Sequence, residues 1–103
     1  MGSGKWPAIT YQFDGSTDLF TAFEQARIEH FEILDERTIV IYSRTIFDLE
    51  VNDGSLADAQ IVTVEIFDAA PDRTATGDPD PVALTESLID ELAVTVDGDW
   101  ERR

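Results

Sequence analysis

The sequence predicts an α+β fold: a four-stranded antiparallel sheet with two helices on one face, in the order β-α-β-β-α-β. Three kinds of pattern support this prediction: apolar residues at every second position, apolar residues at every third and fourth position, and clusters of Gly, Pro, Asp and Asn between such segments. A chain of 103 residues is long enough to bury one hydrophobic core. We therefore assign residues 1–103 to a single domain.

The first elements are predicted to be a strand and a helix. Apolar residues alternate with polar ones over residues 8–13, which predicts a half-buried strand. Residues 14–17 are turn formers that end in a hydroxyl at the N-cap position, and Asp18 would lie in the first turn of a helix. Apolar residues spaced three and four apart then form one stripe facing the core: Leu19, Ala22, Phe23 and Ala26.

The middle of the chain is predicted to form a long hairpin. Residues 29–34 alternate weakly and are compatible with either a helix end or a short strand. Residues 37–48 are rich in β-branched side chains and apolar on both faces, which is typical of a central strand. A turn at 52–55 (Asn-Asp-Gly-Ser) and a second alternating segment at 61–67 complete the hairpin.

The last third is predicted to be a loop, a helix and a short strand. Residues 69–81 contain three of the four prolines and show no periodicity, which indicates a loop. Leucine recurs every fourth residue over 81–92, which indicates a helix. Val94 and Val96 would then begin a final strand closed by the turn at 97–99.

This element order is that of the split β-α-β arrangement found in ferredoxin-like folds. One helix face and the alternating strand positions are expected to join in a single core. Its predicted members are Ile9, Tyr11, Phe13, Leu19, Phe23, Ile39, Ile41, Val62, Val64, Leu88 and Leu92.

The charge of the chain indicates the solvent in which it works. There are 22 Asp and Glu against 7 Lys and Arg, a net charge of −15, and Lys5 is the only lysine. Such repulsion is largely screened at about 1 M salt, where the Debye length is roughly 3 Å. This composition resembles proteins of salt-in halophiles such as haloarchaea and their viruses. A surface without a basic patch also argues against specific binding to nucleic acids.

Candidates for chemistry are few. The single histidine, His30, and serines such as Ser43 and Ser87 lack the sequence context of a catalytic group, and cysteine is absent. Acidic turns such as 48–59 do not follow the ligand spacing of a calcium loop. We therefore expect no enzyme activity, no metal and no cofactor. The sequence has no apolar run of about 20 residues, so we expect no membrane contact.

Surface for another protein is the remaining class of site. The predicted hairpin tip contributes Asn52, Asp53 and Gly54, and the proline-rich loop contributes Arg73 and Pro79. Both segments extend beyond what a four-stranded domain needs. If they are not the contact, we expect it on the sheet face that carries Tyr42 and Arg44.

Residues 37–92 resemble tail-terminator or tail-completion proteins of tailed viruses. The resemblance is one of element order: a strand at Thr38–Tyr42, a hairpin through 52–54, a strand at Ile61–Phe67, a loop, and a helix at Leu84–Leu92. It implies a subunit of a homo-oligomeric ring, commonly a hexamer, that joins the tail tube to the neck and contacts neighbouring virion proteins. It also implies assembly in the host cytoplasm and a final place in the virion.

A different function class is compatible with the same order. Ferredoxin-like regulatory domains are cytoplasmic, pair through sheet edges and bind small ligands at a dimer interface. In molar salt, a ring would favour the virion subunit and a dimer the regulatory module.

Overall fold

The computed structural model describes residues 8–69 and 81–103. They form six strands and two helices: β1 (Ala8–Thr17), α1 (Leu19–Ala26), β2 (Glu29–Leu34), β3 (Arg37–Tyr42), β4 (Thr45–Val51), β5 (Ala59–Ala69), α2 (Pro81–Thr95) and β6 (Trp100–Arg102). The strands make one sheet in the order β2-β3-β4-β5-β1-β6, and every neighbouring pair is antiparallel.

This architecture corrects the predicted four-stranded sheet and its β-α-β-β-α-β order, whether ferredoxin-like or tail-terminator-like. The sheet has six strands, and four of them follow one another between the two helices. The additional strands come from two places: residues 29–34 form a strand, and the segment 37–48 is divided between β3 and β4. The α+β class with two helices is confirmed.

A two-residue turn divides the predicted long strand. Ser43 and Arg44 have φ angles of 52° and 60°, the left-handed values that a tight turn between twisted strands requires. The turn returns the chain so that Tyr42 pairs with Thr45 and Ile41 with Ile46. Neither residue is the Gly, Asn or Asp that turns with two left-handed residues favour, so the pattern of β-branched residues concealed the reversal.

Helix α1 begins one residue later than predicted. Asp18 is the N-cap, and its carboxylate accepts hydrogen bonds from the backbone N–H of Phe20 and Thr21 at 3.1 and 3.3 Å. This satisfies donors that the first helical turn leaves free. The helix ends at Arg27, which adopts a left-handed conformation with a φ of 59°.

The end of the chain also differs from the prediction. Val94 belongs to α2 and Val96 to the turn that follows, while the last strand is β6, which begins at Trp100. Trp100 pairs with Phe13 of β1, and its indole N–H donates to Asp90 of α2 at 3.2 Å. Residues that were expected beyond the last strand therefore form it.

The core lies between one face of the sheet and the two helices. Nine of the eleven predicted core residues are buried or packed against this core; Ile39 and Ile41 are not among them. Their neighbour Val40 is fully buried instead. Successive residues of a strand point to opposite faces, so burying Val40 leaves both isoleucines on the other face. No helix covers that face in the described part of the chain.

Candidate functional site

The uncovered face of the sheet is the most distinctive surface of the molecule. Five large apolar side chains lie at its β2 end and on the neighbouring strands. We call them the apolar patch, and they are Phe31, Ile39, Ile41, Ile46 and Phe67. Phe31 pairs with Ile39, and Ile41 pairs with Ile46, so these side chains are neighbours across the strands.

Exposure of the patch is substantial. Phe31 is 57% exposed and Phe67 is 71% exposed, while the three isoleucines are half-buried. Phe67 lies at an irregularity of β5, where the register with β4 shifts between Ile46 and Phe47. Single exposed apolar residues are ordinary on a protein surface, but a contiguous group of this kind marks an interaction surface.

The far half of the same face is polar and internally bonded. The hydroxyls of Thr10 and Thr63 lie 3.0 Å apart, and Asn52 Nδ2 donates to Thr63 Oγ1 at 2.8 Å. Arg103 donates to Gln12 Oε1 at 3.0 Å. This half has the composition expected of a sheet face in contact with water. Ile61, which pairs with Gln12, is the apolar exception in this half, and the other large apolar side chains of the face are concentrated in the apolar patch.

An ion pair lies between the two halves. Arg37 of β3 donates through Nε to Asp48 Oδ1 at 3.0 Å, and its Nη2 also contacts Asp48 Oδ2. The hydrogen bond to Asp48 raises the pKa of Arg37 above its ordinary value. The side chain is therefore a permanent cation held in a two-pronged carboxylate contact, a geometry that orients both groups.

Strand β2 is one edge of the sheet and carries more exposed apolar residues. Ile33 and Leu34 are 53% and 51% exposed, and both lie on this edge strand beside Phe31. Acidic residues alternate with them or follow them along the same segment: Glu29, Glu32, Asp35 and Glu36. An apolar edge strand is a template for pairing with another chain, and charges on it limit that pairing in dilute solution.

The predicted hairpin tip is used to build the connection between β4 and β5. Asp53 Oδ1 accepts from the backbone N–H of Ile61 at 3.0 Å and of Gln60 at 3.3 Å. A Cβ on Gly54 would lie 2.4 Å from the carbonyl oxygen of Asp58, so this position requires glycine. Asn52, Asp53 and Gly54 are exposed, and a role in partner binding stays a prediction.

Tyr42 and Arg44 lie at the β3–β4 turn, but Tyr42 does not belong to the uncovered face. Its ring packs against the core on the helix side, and its hydroxyl lies 3.4 Å from Ser87 Oγ of α2. Arg44 is exposed. The face that we predicted to carry both residues is therefore covered at Tyr42. Arg73 and Pro79 lie outside the described residues.

The single histidine is part of the packing between α1 and β2. The ring of His30 stacks on Phe23 with centroids 4.6 Å apart, and its Nδ1 is 3.4 Å from the carbonyl oxygen of Ile28. In the described segments, no group of three or more His, Asp or Glu side chains is placed to hold a metal ion. None of the described helices is long and apolar enough to cross a membrane.

Sequence reasoning therefore missed the apolar patch and the β2 edge. Ile39 and Ile41 were assigned to the core because a strand that is apolar on both faces is usually covered on both. The sequence did contain one indication of the β2 edge: Phe31 and Ile33 alternate with polar residues, a pattern that is compatible with a strand. Comparisons with protein-family models, curated proteins and solved structures give no match for this chain.

Proposed function

We propose that the protein is a non-enzymatic assembly subunit of a halophilic virus particle, and that it contacts neighbouring proteins through the apolar patch. The proposed setting is a tail-terminator or tail-completion ring of a tailed virus of halophilic archaea. The observation that carries the proposal is the position of Ile39, Ile41 and Ile46 on a sheet face that no element of residues 8–69 and 81–103 covers.

Packing energetics favour a covered patch. Removing apolar surface from water is worth about 25 cal/mol per Å². Side chains such as Phe31 and Phe67, each more than half exposed, gain little of this in the isolated subunit. A sheet face exposed only to water would be stable with Thr or Glu at these positions, as the other half of the face is. Burial in a contact between proteins explains why the residues at these positions are apolar.

The strongly acidic composition of the chain is compatible with such a contact in concentrated salt. Each copy carries a net charge of −15, so two copies repel each other in dilute buffer. At about 1 M salt this repulsion is screened, while apolar association is not weakened. The same negative surface repels nucleic-acid phosphates, which suits a ring through which a genome passes.

The virion setting rests on the halophilic composition and on the small part of the resembled element order that the structure keeps. Part of that order is retained, because strand β5 is followed along the chain by helix α2. The alternative of a ferredoxin-like regulatory dimer depended on the split β-α-β arrangement, which is not the observed topology. The observed topology departs from both predicted orders, so the apolar patch and the acidic composition are what favour the assembly subunit.

Measurement of mass in molar salt tests the proposal. We expect the parent chain to form a species larger than a dimer in about 3 M KCl by sedimentation velocity. The double variant Ile39→Thr/Ile41→Thr keeps β-branched residues in β3 but removes apolar surface. It should weaken this association at least about ten-fold, which corresponds to about 1.4 kcal/mol.

The matched control is Val94→Thr. Val94 is 68% exposed on α2, on the helix side of the sheet, so this variant should associate like the parent. A parent chain that stays monomeric or stops at a dimer across the accessible concentrations would contradict the proposed ring. Equal weakening by both variants would show that the patch is not the contact.

A further inference from the structure

Strand β2 forms an edge of the sheet and exposes apolar side chains there. It pairs with β3 on one side, and no strand of the described residues lies on its other side. An edge strand has backbone N–H and C=O groups that point away from the sheet, and an extended segment of another chain can pair with them. Phe31, Ile33 and Leu34 of β2 are each more than half exposed. The edge therefore offers backbone hydrogen bonds and apolar contact together.

The carboxylates of β2 restrict which strand can pair with it. Glu29 and Glu32 are exposed and flank His30 and Phe31. Neither carboxylate takes part in an ion pair or a side-chain hydrogen bond with another described residue. Opposite charges across two strands stabilise their pairing, and like charges destabilise it. The edge therefore repels an acidic strand and favours one that carries Lys or Arg at the matching positions.

A hollow lies beside β2, next to the end of helix α1. It has a volume of about 310 Å³, and Phe23, Ile28 and His30 contribute to its lining. The rings of Phe23 and His30 are stacked with centroids 4.6 Å apart. A strand added to β2 would direct the side chain opposite His30 to the same side of the sheet as His30. An apolar side chain at that position suits this lining.

These contacts define a sequence pattern for the added strand. It requires Lys or Arg opposite Glu29 and opposite Glu32. It requires an apolar residue opposite His30, for the hollow, and another opposite Phe31, where it extends the apolar patch. The pattern is basic-apolar-apolar-basic. Because this pattern is the same in both directions, it does not depend on the direction of the added strand.

The chain itself does not contain this pattern. No two of its seven Lys and Arg residues are three positions apart. A second copy therefore cannot supply the strand, and the net charge of −15 on each copy opposes such pairing further. This agrees with association between copies through the apolar patch and leaves the β2 edge for a different protein.

We propose that β2 binds an extended, basic-apolar-apolar-basic segment of a different protein and adds it to the sheet as a further strand. The proposal goes beyond the assembly function, because it assigns a second surface and a partner of opposite charge. Backbone hydrogen bonds supply affinity, and the two carboxylates and the hollow supply selection. In about 1 M salt the Debye length is roughly 3 Å, so direct ion contacts persist while long-range attraction is lost.

Fluorescence anisotropy in molar KCl tests the proposal with a labelled peptide whose core is Arg-Val-Leu-Arg, flanked by threonines. The parent chain should bind it at least about five-fold more tightly than Glu-Val-Leu-Glu. The same margin is expected over Val-Arg-Arg-Leu, which keeps the composition and the charge but not the pattern. N-methylation of both central residues removes an N–H group that must face β2 in an added strand, and it should weaken binding at least about ten-fold.

Charge reversal on the protein provides the matched test. Glu29→Lys/Glu32→Lys should exchange the preference and bind Glu-Val-Leu-Glu more tightly than Arg-Val-Leu-Arg. The control Glu91→Lys/Glu101→Lys changes the net charge equally at exposed positions of α2 and β6, and it should keep the preference of the parent. The exchanged preference also shows that the reversed variant is folded.

Equal binding of Arg-Val-Leu-Arg and Val-Arg-Arg-Leu, or binding that survives N-methylation, would overturn the proposal, because the acidic surface would then attract any cationic peptide. Absence of peptide binding would overturn it as well. Loss of self-association in Glu29→Lys/Glu32→Lys would show that copies occupy the edge, with the same consequence.

The edge contact and the proposed assembly role fail separately. The patch variant Ile39→Thr/Ile41→Thr should bind Arg-Val-Leu-Arg like the parent, because its substitutions lie on β3. A monomeric parent chain that binds this peptide would contradict the ring and support the edge contact. A multimeric parent chain that does not bind it would contradict the edge contact and leave the assembly role standing.

Discussion

Replacing Tyr11 with phenylalanine should stabilise the protein. The side chain of Tyr11 is fully buried, and its hydroxyl has no hydrogen-bond partner among the described residues. Burying an unpaired hydroxyl costs about 1–3 kcal/mol. The ring itself is well placed, with an edge-on contact to Trp100 at a centroid distance of 5.4 Å. Phenylalanine keeps this contact and removes only the oxygen.

The expected gain is about 1–2 kcal/mol in the free energy of unfolding. For a domain of this size, each 1 kcal/mol corresponds to roughly 4–8 °C in Tm. Urea denaturation in molar KCl, followed by tryptophan fluorescence, would measure the change. Tyr42→Phe is the matched control. Tyr42 is half-buried, and its hydroxyl makes a long contact of 3.4 Å with Ser87 Oγ. We therefore expect its removal to change the free energy of unfolding by no more than about 0.5 kcal/mol.

Alkaline pH provides a second measurement of the same group. Burial first, and then the nearby Glu86, raise the pKa of Tyr11 from 10.0 to about 12. The unfolded chain loses the phenol proton near pH 10, whereas the folded chain keeps it. Stability from this group is therefore present below pH 10 and is lost as the pH rises towards about 12.

Tyr11→Phe should lack this alkaline component, and Tyr42→Phe should retain it. A Tyr11→Phe variant that is less stable than the parent by more than about 1 kcal/mol would refute the reasoning, because the hydroxyl must then have a partner. An unchanged loss of stability between pH 10 and 12 would refute the assignment of that loss to Tyr11.

Three further predictions concern the whole fold, the core and one turn. Thermal melts at neutral pH should give the lowest Tm in dilute buffer and a rising Tm towards molar KCl, because the net charge of −15 is then screened; a flat series would remove the halophilic interpretation. Leu88→Ala should cost about 2–5 kcal/mol, because Leu88 is fully buried in α2; a loss below about 0.5 kcal/mol in urea denaturation would show that this side of α2 is not core. Gly54→Ala should destabilise the protein by about 1–3 kcal/mol in the same assay, because the new Cβ would lie 2.4 Å from the Asp58 carbonyl oxygen. Gly15→Ala is the control, because a Cβ at this position has nothing within 4 Å and makes no such contact. Equal losses in the two variants would contradict the argument.

The candidate site was only partly predictable. A sheet with one uncovered face cannot be distinguished by periodicity from one covered on both faces when apolar residues occupy both, as they do at Val40 and Ile41. The hairpin tip at Asn52, Asp53 and Gly54 was predicted as a contact because this turn-forming segment extends beyond what a four-stranded domain needs. In the structure the side chains of Asn52 and Asp53 form hydrogen bonds with Thr63 and Ile61 of β5. Turn chemistry and partner binding use the same residue types, so the sequence does not separate them.

Local patterns by themselves determined the α+β class, both helices, the register of apolar residues in β1 and β5, and most of the core, because each follows from spacing along a few residues. The net charge of −15 also follows from composition, and its effect on stability in salt stays a prediction. The strand count, the reversal at Ser43 and Arg44, and the burial of Val40 in place of Ile39 were decided only by the tertiary structure. The reason is that a turn with left-handed φ angles at two ordinary residues, and the choice of which sheet face the helices cover, depend on long-range packing that no short window of sequence contains.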